Sequence, residues 1–308
     1  MNGPLKKIPL IGAFLIMVGA AMGQEKDEPL LWVPRNLASG EVALPERVVR
    51  SDLVVSGRVV ALEPKDVEAA LAAELPHTVD FRIAVTKVHE VVHGQKEVKE
   101  LRLGFLSPDQ DRKLDKSGKT IPAISPSFFQ PFRVGQDGLY FLKKHHQGDF
   151  YVSLSLFGGF YDSGDAVRFA KTLREVRRLK NVLDAPVEAL KADNATNRFV
   201  AATMLIHRYR LSWSKERDLP EKAIDREESM LLLKTLAEGD WRDVNEAIAT
   251  TKYPPHPYRV FLQLGVKKTD GYDPPTNGPD FRDTLRYAQG WIRDNREKYR
   301  IQRFASSK

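Results

Sequence analysis

Apolar residues alternate with polar ones along the first half of the chain and recur every three to four positions along the second. The period changes near residue 160, which predicts a β part followed by an α part. Leu53, Val55, Gly57, Val59 and Ala61 interleave with Val54, Arg58, Val60 and Leu62, the pattern of a strand covered on both faces. Pro64 opens a predicted short helix through Leu75, rich in Ala, Glu and Leu and closed by Pro76. Val79, Phe81, Ile83 and Val85 alternate with Thr78, Asp80, Arg82 and Ala84 as a second strand. His93-Gly94-Gln95 reads as the turn into a third, whose apolar residues are Val98, Leu101, Leu103 and Phe105. Residues 107–136 form a predicted long loop, of the kind that is functional or mobile in a compact domain. Gly138 to Lys144 and Phe150 to Leu154 then make a hairpin around His145 to Asp149.

Beyond Gly159 the spacing is helical. Asp162 or Ser163 is the expected cap of a helix with Val167, Ala170, Leu173 and Val176 on its apolar face. Further helices are predicted at 187–192, at 194–210, after a cap at Asp225, and over 260–264. A Pro- and Gly-rich connector, 271–279, leads to a final amphipathic helix from Phe281 to about Lys298. The fold class expected is therefore α+β. A small five-stranded OB-like antiparallel barrel spans 48–160, and an all-α domain spans 161–308. Residues 24–47 are polar and punctuated by proline, and read as an extended lead-in.

The first 23 residues change the expected compartment. Lys6 and Lys7 precede an apolar run from Ile8 to Met22, and Ala21 and Gly23 give the small-residue spacing of a signal-peptide cleavage site before Gln24. The run is shorter than the roughly 20 residues a membrane-spanning helix needs, and Pro9 interrupts it. The mature protein is expected to be exported, periplasmic or extracellular, without a transmembrane segment. The chain contains no cysteine, which excludes disulfides, thiolate nucleophiles and cysteine-bound metals. The formal charge is +7; removing the two lysines of the signal leaves +5, a mild excess that permits contact with anionic polymers.

Two resemblances follow from these segments. Ser51-Asp-Leu-Val-Val-Ser-Gly-Arg-Val-Val60 resembles the start of the netrin-like barrel of tissue inhibitors of metalloproteinases and of many exported bacterial proteins. Phe81 to Val88, Gly94 and Val134 to Leu142 continue the pattern over roughly 48–158. The resemblance implies an OB-type fold and a binding role. Protease inhibition in that family uses an amino-terminal cysteine, which this chain lacks, so that activity does not carry over. Asp184 to Lys191, followed by Asn197-Arg198 and Ala201-Ala202, is similar to one HEAT-type helical pair. Residues 185–265 could hold about two such pairs, which implies a solenoid-like interaction surface.

His89-Glu90-Val91-Val92-His93 matches the HExxH pattern of zinc peptidases, in which two histidines bind the metal and the glutamate activates its water. The chemistry needs a helix, where positions i and i+4 stand about 6 Å apart. Here the preceding residues alternate, and Val88, Val91 and Val92 favour extension. On a strand the histidines would stand about 13 Å apart, too far to share a metal. A coincidental match at a strand end is therefore the leading reading. The alternative is a zinc-dependent metallopeptidase with His89 and His93 as metal ligands and Glu90 as its catalytic residue, with no third ligand identified.

His145-His146 is expected to be exposed turn polarity. Asp109, Asp111 and Asp115 lack the order of a calcium loop, because Lys113 and Leu114 break it. Arg168, Lys171, Arg174 and Arg178 recur at helical spacing, and Arg293, Arg296, Lys298, Arg300 and Arg303 crowd the carboxy terminus. Glu175, Asp294 and Glu297 interrupt both sets, as on a solvated face. Phe81, Phe105 and Tyr140 are expected in the core rather than as stacking platforms, and nucleic acid is not an expected partner. The function expected is a non-enzymatic binding or scaffold protein without a cofactor. Its partner would be another protein or an anionic cell-envelope polymer.

Overall fold

Strands occur where polar and apolar positions alternate, and five of them close on one another. The computed structural model describes residues 43–70, 78–106, 132–153, 160–210, 219–242, 245, 254–274 and 280–304. The expected signal segment, most of the expected lead-in, Asp109, Asp111, Asp115 and all but the last residues of the predicted 107–136 loop lie outside the described residues.

The strands are β1 (Leu53–Leu62), β2 (Val67–Ala70), β3 (Thr78–His93), β4 (Glu100–Leu106), β5 (Asp137–Lys144), β6 (Tyr151–Ser153) and β7 (Phe160–Asp162). The order β1-β3-β4-β6-β5 closes because β5 pairs back onto β1. Four of these pairings are antiparallel, whereas β4 and β6 run parallel through Leu103–Tyr151 and Gly104–Val152. The barrel is therefore mixed, not antiparallel as expected. An odd number of strands cannot alternate direction around a closed ring, so one pair must be parallel. β7 continues along the same edge of β5 as β6.

Leu53, Val55, Val59, Ala84, Leu101, Leu103, Tyr140 and Leu142 form the barrel interior. The opposite faces of β1 and β5 present Val54, Leu139 and Phe141 to a second core, which also contains the helices. Pro45 at the first turn starts α1 (Leu44–Arg50) where an extended lead-in was expected. Its buried Val48 joins that second core, so packing on the helices decides its conformation.

Residues 67–70 are also a correction. They form β2 rather than part of a helix, pairing Val67 with Phe81 and Ala69 with Val79. The long β3 offers a free edge there, and its ladder overrides a weak local helix preference.

The helical part comprises α2 (Ala166–Asp184), α3 (Pro186–Leu190), α4 (Ala195–Arg210), α5 (Arg226–Glu238), α6 (Pro257–Gln263) and α7 (Phe281–Asn295). Asp165, not Asp162 or Ser163, caps α2 by accepting the Arg168 N–H at 2.9 Å. Val167, expected on the apolar face, is 82% exposed, because Thr172, Val176 and Leu179 set the buried side. Asp225 caps α5 as expected. The all-α expectation misses one ribbon, β8 (Glu221–Ala223) paired with β9 (Gln302–Phe304). Arg210 holds it through the Glu221 carboxylate at 2.7 Å and the Gln302 carbonyl at 3.3 Å, and its guanidinium lies over the Phe304 ring. Among the described residues no helix is long and apolar enough to cross a membrane.

Two positions yield predictions. Gly290 lies inside α7, and a Cβ placed there meets nothing within 4 Å. Gly290→Ala should stabilise the protein by about 0.5–1 kcal/mol, read as a raised urea midpoint. His207 in α4 is buried with neither ring nitrogen hydrogen-bonded, and burial, aided by Arg50 of α1, pushes its pKa down to about 4. Between pH 6.5 and about 4 the unfolded chain binds a proton that the folded chain refuses, so stability falls on acidification. The urea midpoint should fall less steeply over that window in His207→Leu, and the difference between the two proteins isolates this group.

Candidate functional site

The HExxH segment occupies the last five residues of β3, and its backbone is extended as its valines predict. Opposite it, Gly57 pairs with Val88 and Ser56 with Glu90, leaving His89 as an extra residue. Val55 pairs with Val91 and Val54 with His93, so Val92 is extra as well. Two bulges in five residues redirect successive side chains to different neighbours.

His89 is half exposed, and its Nε2 lies 3.2 Å from Oδ1 of Asp137 on β5. Asp137 also receives Arg58 of β1, whose Nε stands 2.9 Å from each carboxylate oxygen. The Arg58 hydrogen bond holds the Asp137 carboxyl below its ordinary range; partial desolvation opposes it and His89 adds to it. Glu90 turns toward the helices and takes the fork of Arg177 on α2, at 3.1 and 2.7 Å. Val92 enters the core shared by barrel and helices. His93 is partly covered there; burial chiefly, then the Arg208 charge, pushes its pKa down.

The three residues of the motif therefore face three different surroundings: a β5 carboxylate, an α2 guanidinium and the helical seam. Among the described residues no group of three or more His, Asp or Glu side chains is placed to hold a metal ion. What the arrangement does is join elements, with Glu90–Arg177 tying the barrel to α2. Sequence reasoning missed Arg58, Asp137 and Arg177. Gly57-Arg58 and Asp137-Gly138 pair across β1 and β5, but only the register reveals it.

A second cluster lies at one rim of the barrel. His145, expected in an exposed turn, is buried instead and stacks on Phe150 with ring centroids 4.4 Å apart. Phe81 meets it edge-on at 5.3 Å. Its Nε2–H donates to the Ala70 carbonyl of β2 at 2.9 Å, and its Nδ1 accepts the N–H groups of Gln147 and Gly148 at 3.2 and 2.9 Å. The Ala70 N–H donates to the Gln147 side-chain oxygen at 3.3 Å. Arg102 of β4 forks onto Glu63 at 2.7 and 2.8 Å and donates to the Asp149 carbonyl at 3.2 Å. Two flanking phenylalanines draw the histidine inward, a signal present in the sequence but spread over seventy positions. His146 is exposed, as expected.

Some of the basic residues on and beside the expected stripes are paired with carboxylates. Arg178 pairs with Glu175, Arg177 with Glu90 and Lys180 with Asp184. Lys171 and Arg174 are exposed, as are Arg293, Arg296, Lys298 and Arg303, whereas Arg300 donates to the Ile224 carbonyl at 2.5 Å. Phe81 and Tyr140 are buried and Phe105 packs edge-on against Phe132, so none is a stacking platform. No protein-family model, no curated protein and no solved structure matches the chain.

The Glu90–Arg177 pair is solvent-accessible on both sides. A double-mutant cycle with Glu90→Ala and Arg177→Ala should give a coupling of about 0.2–1 kcal/mol in urea unfolding, the range for exposed ion pairs.

Proposed function

We propose that the protein is an exported, non-enzymatic binding or scaffold protein whose recognition end is the barrel rim built from residues 63–70 and 145–150. The observation that carries this reading is the cross-linking of that rim. Ala70 is bound to Gln147 and His145, and Arg102 binds both Glu63 and Asp149. The two segments correspond to the loops through which OB-type barrels take their ligands. A rim already held in one conformation loses less entropy when a partner docks. Among the described residues the helical part packs on the outer faces of β1 and β5. The netrin-like resemblance agrees with this role, and a HEAT-like surface over 185–265 would supply a second contact face.

A zinc-dependent metallopeptidase using His89, Glu90 and His93 is the alternative, and it requires β3 to leave the sheet and Glu90 to leave Arg177. Binding of an anionic cell-envelope polymer through the basic helices, with Arg168, Lys171, Arg174 and Arg178 on α2 and Arg293, Arg296, Lys298, Arg300 and Arg303 near the carboxy terminus, is a further reading, although Arg178 is paired with Glu175.

One set of measurements on the mature chain separates them. Photo-crosslinking from position 146 in envelope extract should give one discrete protein adduct that Arg102→Ala reduces several-fold, with no bound zinc by mass spectrometry. Near-stoichiometric zinc that His89→Ala removes would establish the peptidase instead. Salt-sensitive retention on an anionic matrix, with no adduct at position 146, would favour the polymer.

A further inference from the structure

We propose that His145 is an acid-sensitive latch of the 145–150 turn, so that acidification unlocks the turn and loosens its Gln147 tie to β2. The proposal concerns how the rim is controlled. Only its consequence, release of a partner, rests on the binding reading above.

The ring is fully engaged in its neutral form. Nε2 carries the proton and donates it to the Ala70 carbonyl, while the bare Nδ1 accepts from Gln147 and Gly148. A second proton would have to sit on Nδ1, where two N–H groups already point. It would break both bonds and bring three donors together. Phe81 and Phe150 shield the ring from the water that could otherwise solvate the new charge.

The surrounding charges do not compensate. On the same turn, the His146 ring lies 4.4 Å away and adds repulsion if it too is protonated, while Lys144 is paired with Asp149 at 2.6 Å. On β2, Glu68 receives the Thr78 hydroxyl at 2.6 Å. Phe81, the β3 residue against the ring, is flanked by Asp80 and Arg82. On β4, Arg102 is spent on Glu63 and the Asp149 carbonyl. Among the described residues no carboxylate bonds to the His145 ring. Burial pushes its pKa below the ordinary 6.5, the Ala70 carbonyl pulls it partly back, and His146 lowers it again. The latch is thus complete at neutral pH and is lost as pH falls through the lowered value.

Charging the ring also loosens what holds the facing segment. The Nε2–H keeps its donation to the Ala70 carbonyl, so the tie that weakens is the one through Gln147. Gln147, which accepts the Ala70 N–H, no longer has its own N–H anchored. β2 keeps its ladder to β3, so the change is confined to the rim.

The test is a pH titration of the full mature chain by nuclear magnetic resonance, following the His145 ring together with amide-exchange protection at Gln147 and Gly148. Protection at these two amides should fall by up to about tenfold per pH unit between pH 6.5 and the His145 midpoint, which should lie under 6.5. The Val59 amide, bonded to Gln136 at 2.9 Å, serves as a reference and should stay protected. His145→Asn keeps a side-chain acceptor near the Nδ1 position without a titrating group, so its turn should hold at pH 4.5. His146→Ala should raise the His145 midpoint. A His145 midpoint at or above 6.5 would overturn the proposal. So would protection at Gln147 and Gly148 that persists through the titration. If His145→Asn fails to fold, loss or persistence of protection at Gln147 and Gly148 in the unsubstituted chain still decides between the two outcomes.

Discussion

β1 and β5 have two buried faces, and every other part of the architecture follows from that. One face supplies Leu53, Val55, Tyr140 and Leu142 to the barrel interior. The other supplies Val54, Leu139 and Phe141 to a core continuous with α2, α4, α5 and α7. Over 53–57 and 138–142, where both faces are covered, the strands carry no charged side chain and lose the simple alternation of a half-exposed strand; Arg58 and Asp137 stand where that cover ends. The double cover also means that barrel and helices share apolar surface rather than meeting across a polar boundary, and that α1, which precedes the barrel in the chain, belongs to the helical core.

How much of this was legible depends on how far apart the deciding residues lie. The strands of β1 and β3, the hairpin and the Asp225 cap follow from local pattern, and they are where the sequence predicts them. β2 was misread because Ala, Glu and Leu favour a helix locally, while the edge of β3 that recruits residues 67–70 is invisible in that window. The β8–β9 ribbon joins residues some eighty positions apart, and its short strands carry no period of their own. The parallel pair is a different kind of miss. Five strands in a closed ring entail it, and only the assumption of a uniform antiparallel sheet concealed it.

The candidate site shows the same division. That residues 89–93 are extended could be read from three valines, but their two bulges depend on the register against β1. Once His89 and Glu90 are sent to opposite neighbours, a five-residue pattern that suggests one reactive centre becomes two separate contacts, a histidine–carboxylate hydrogen bond and an ion pair. His145 shows the reverse. A histidine pair in a predicted turn looks like ordinary surface polarity, yet Phe81 and Phe150 enclose one ring and leave the other in water. Composition of the turn was informative about neither.

Arg210 sets an order of assembly. Its guanidinium is satisfied by the Gln263 carbonyl, the Glu221 carboxylate, the Gln302 carbonyl and the face of Phe304, two of which lie near the end of the chain. Ile301 is fully buried and bonded through its N–H to Ser229, and Arg300 reaches back to Ile224. Until residues 300–304 have been synthesised, the ends of α4 and α5 are short of partners for a buried cation and an apolar socket. The strands of the barrel are all present by residue 162, and the outward Val54, Leu139 and Phe141 are what await the helices. A chain emerging from its amino end can therefore pair its strands early, while the helical core waits for the last strand to close it.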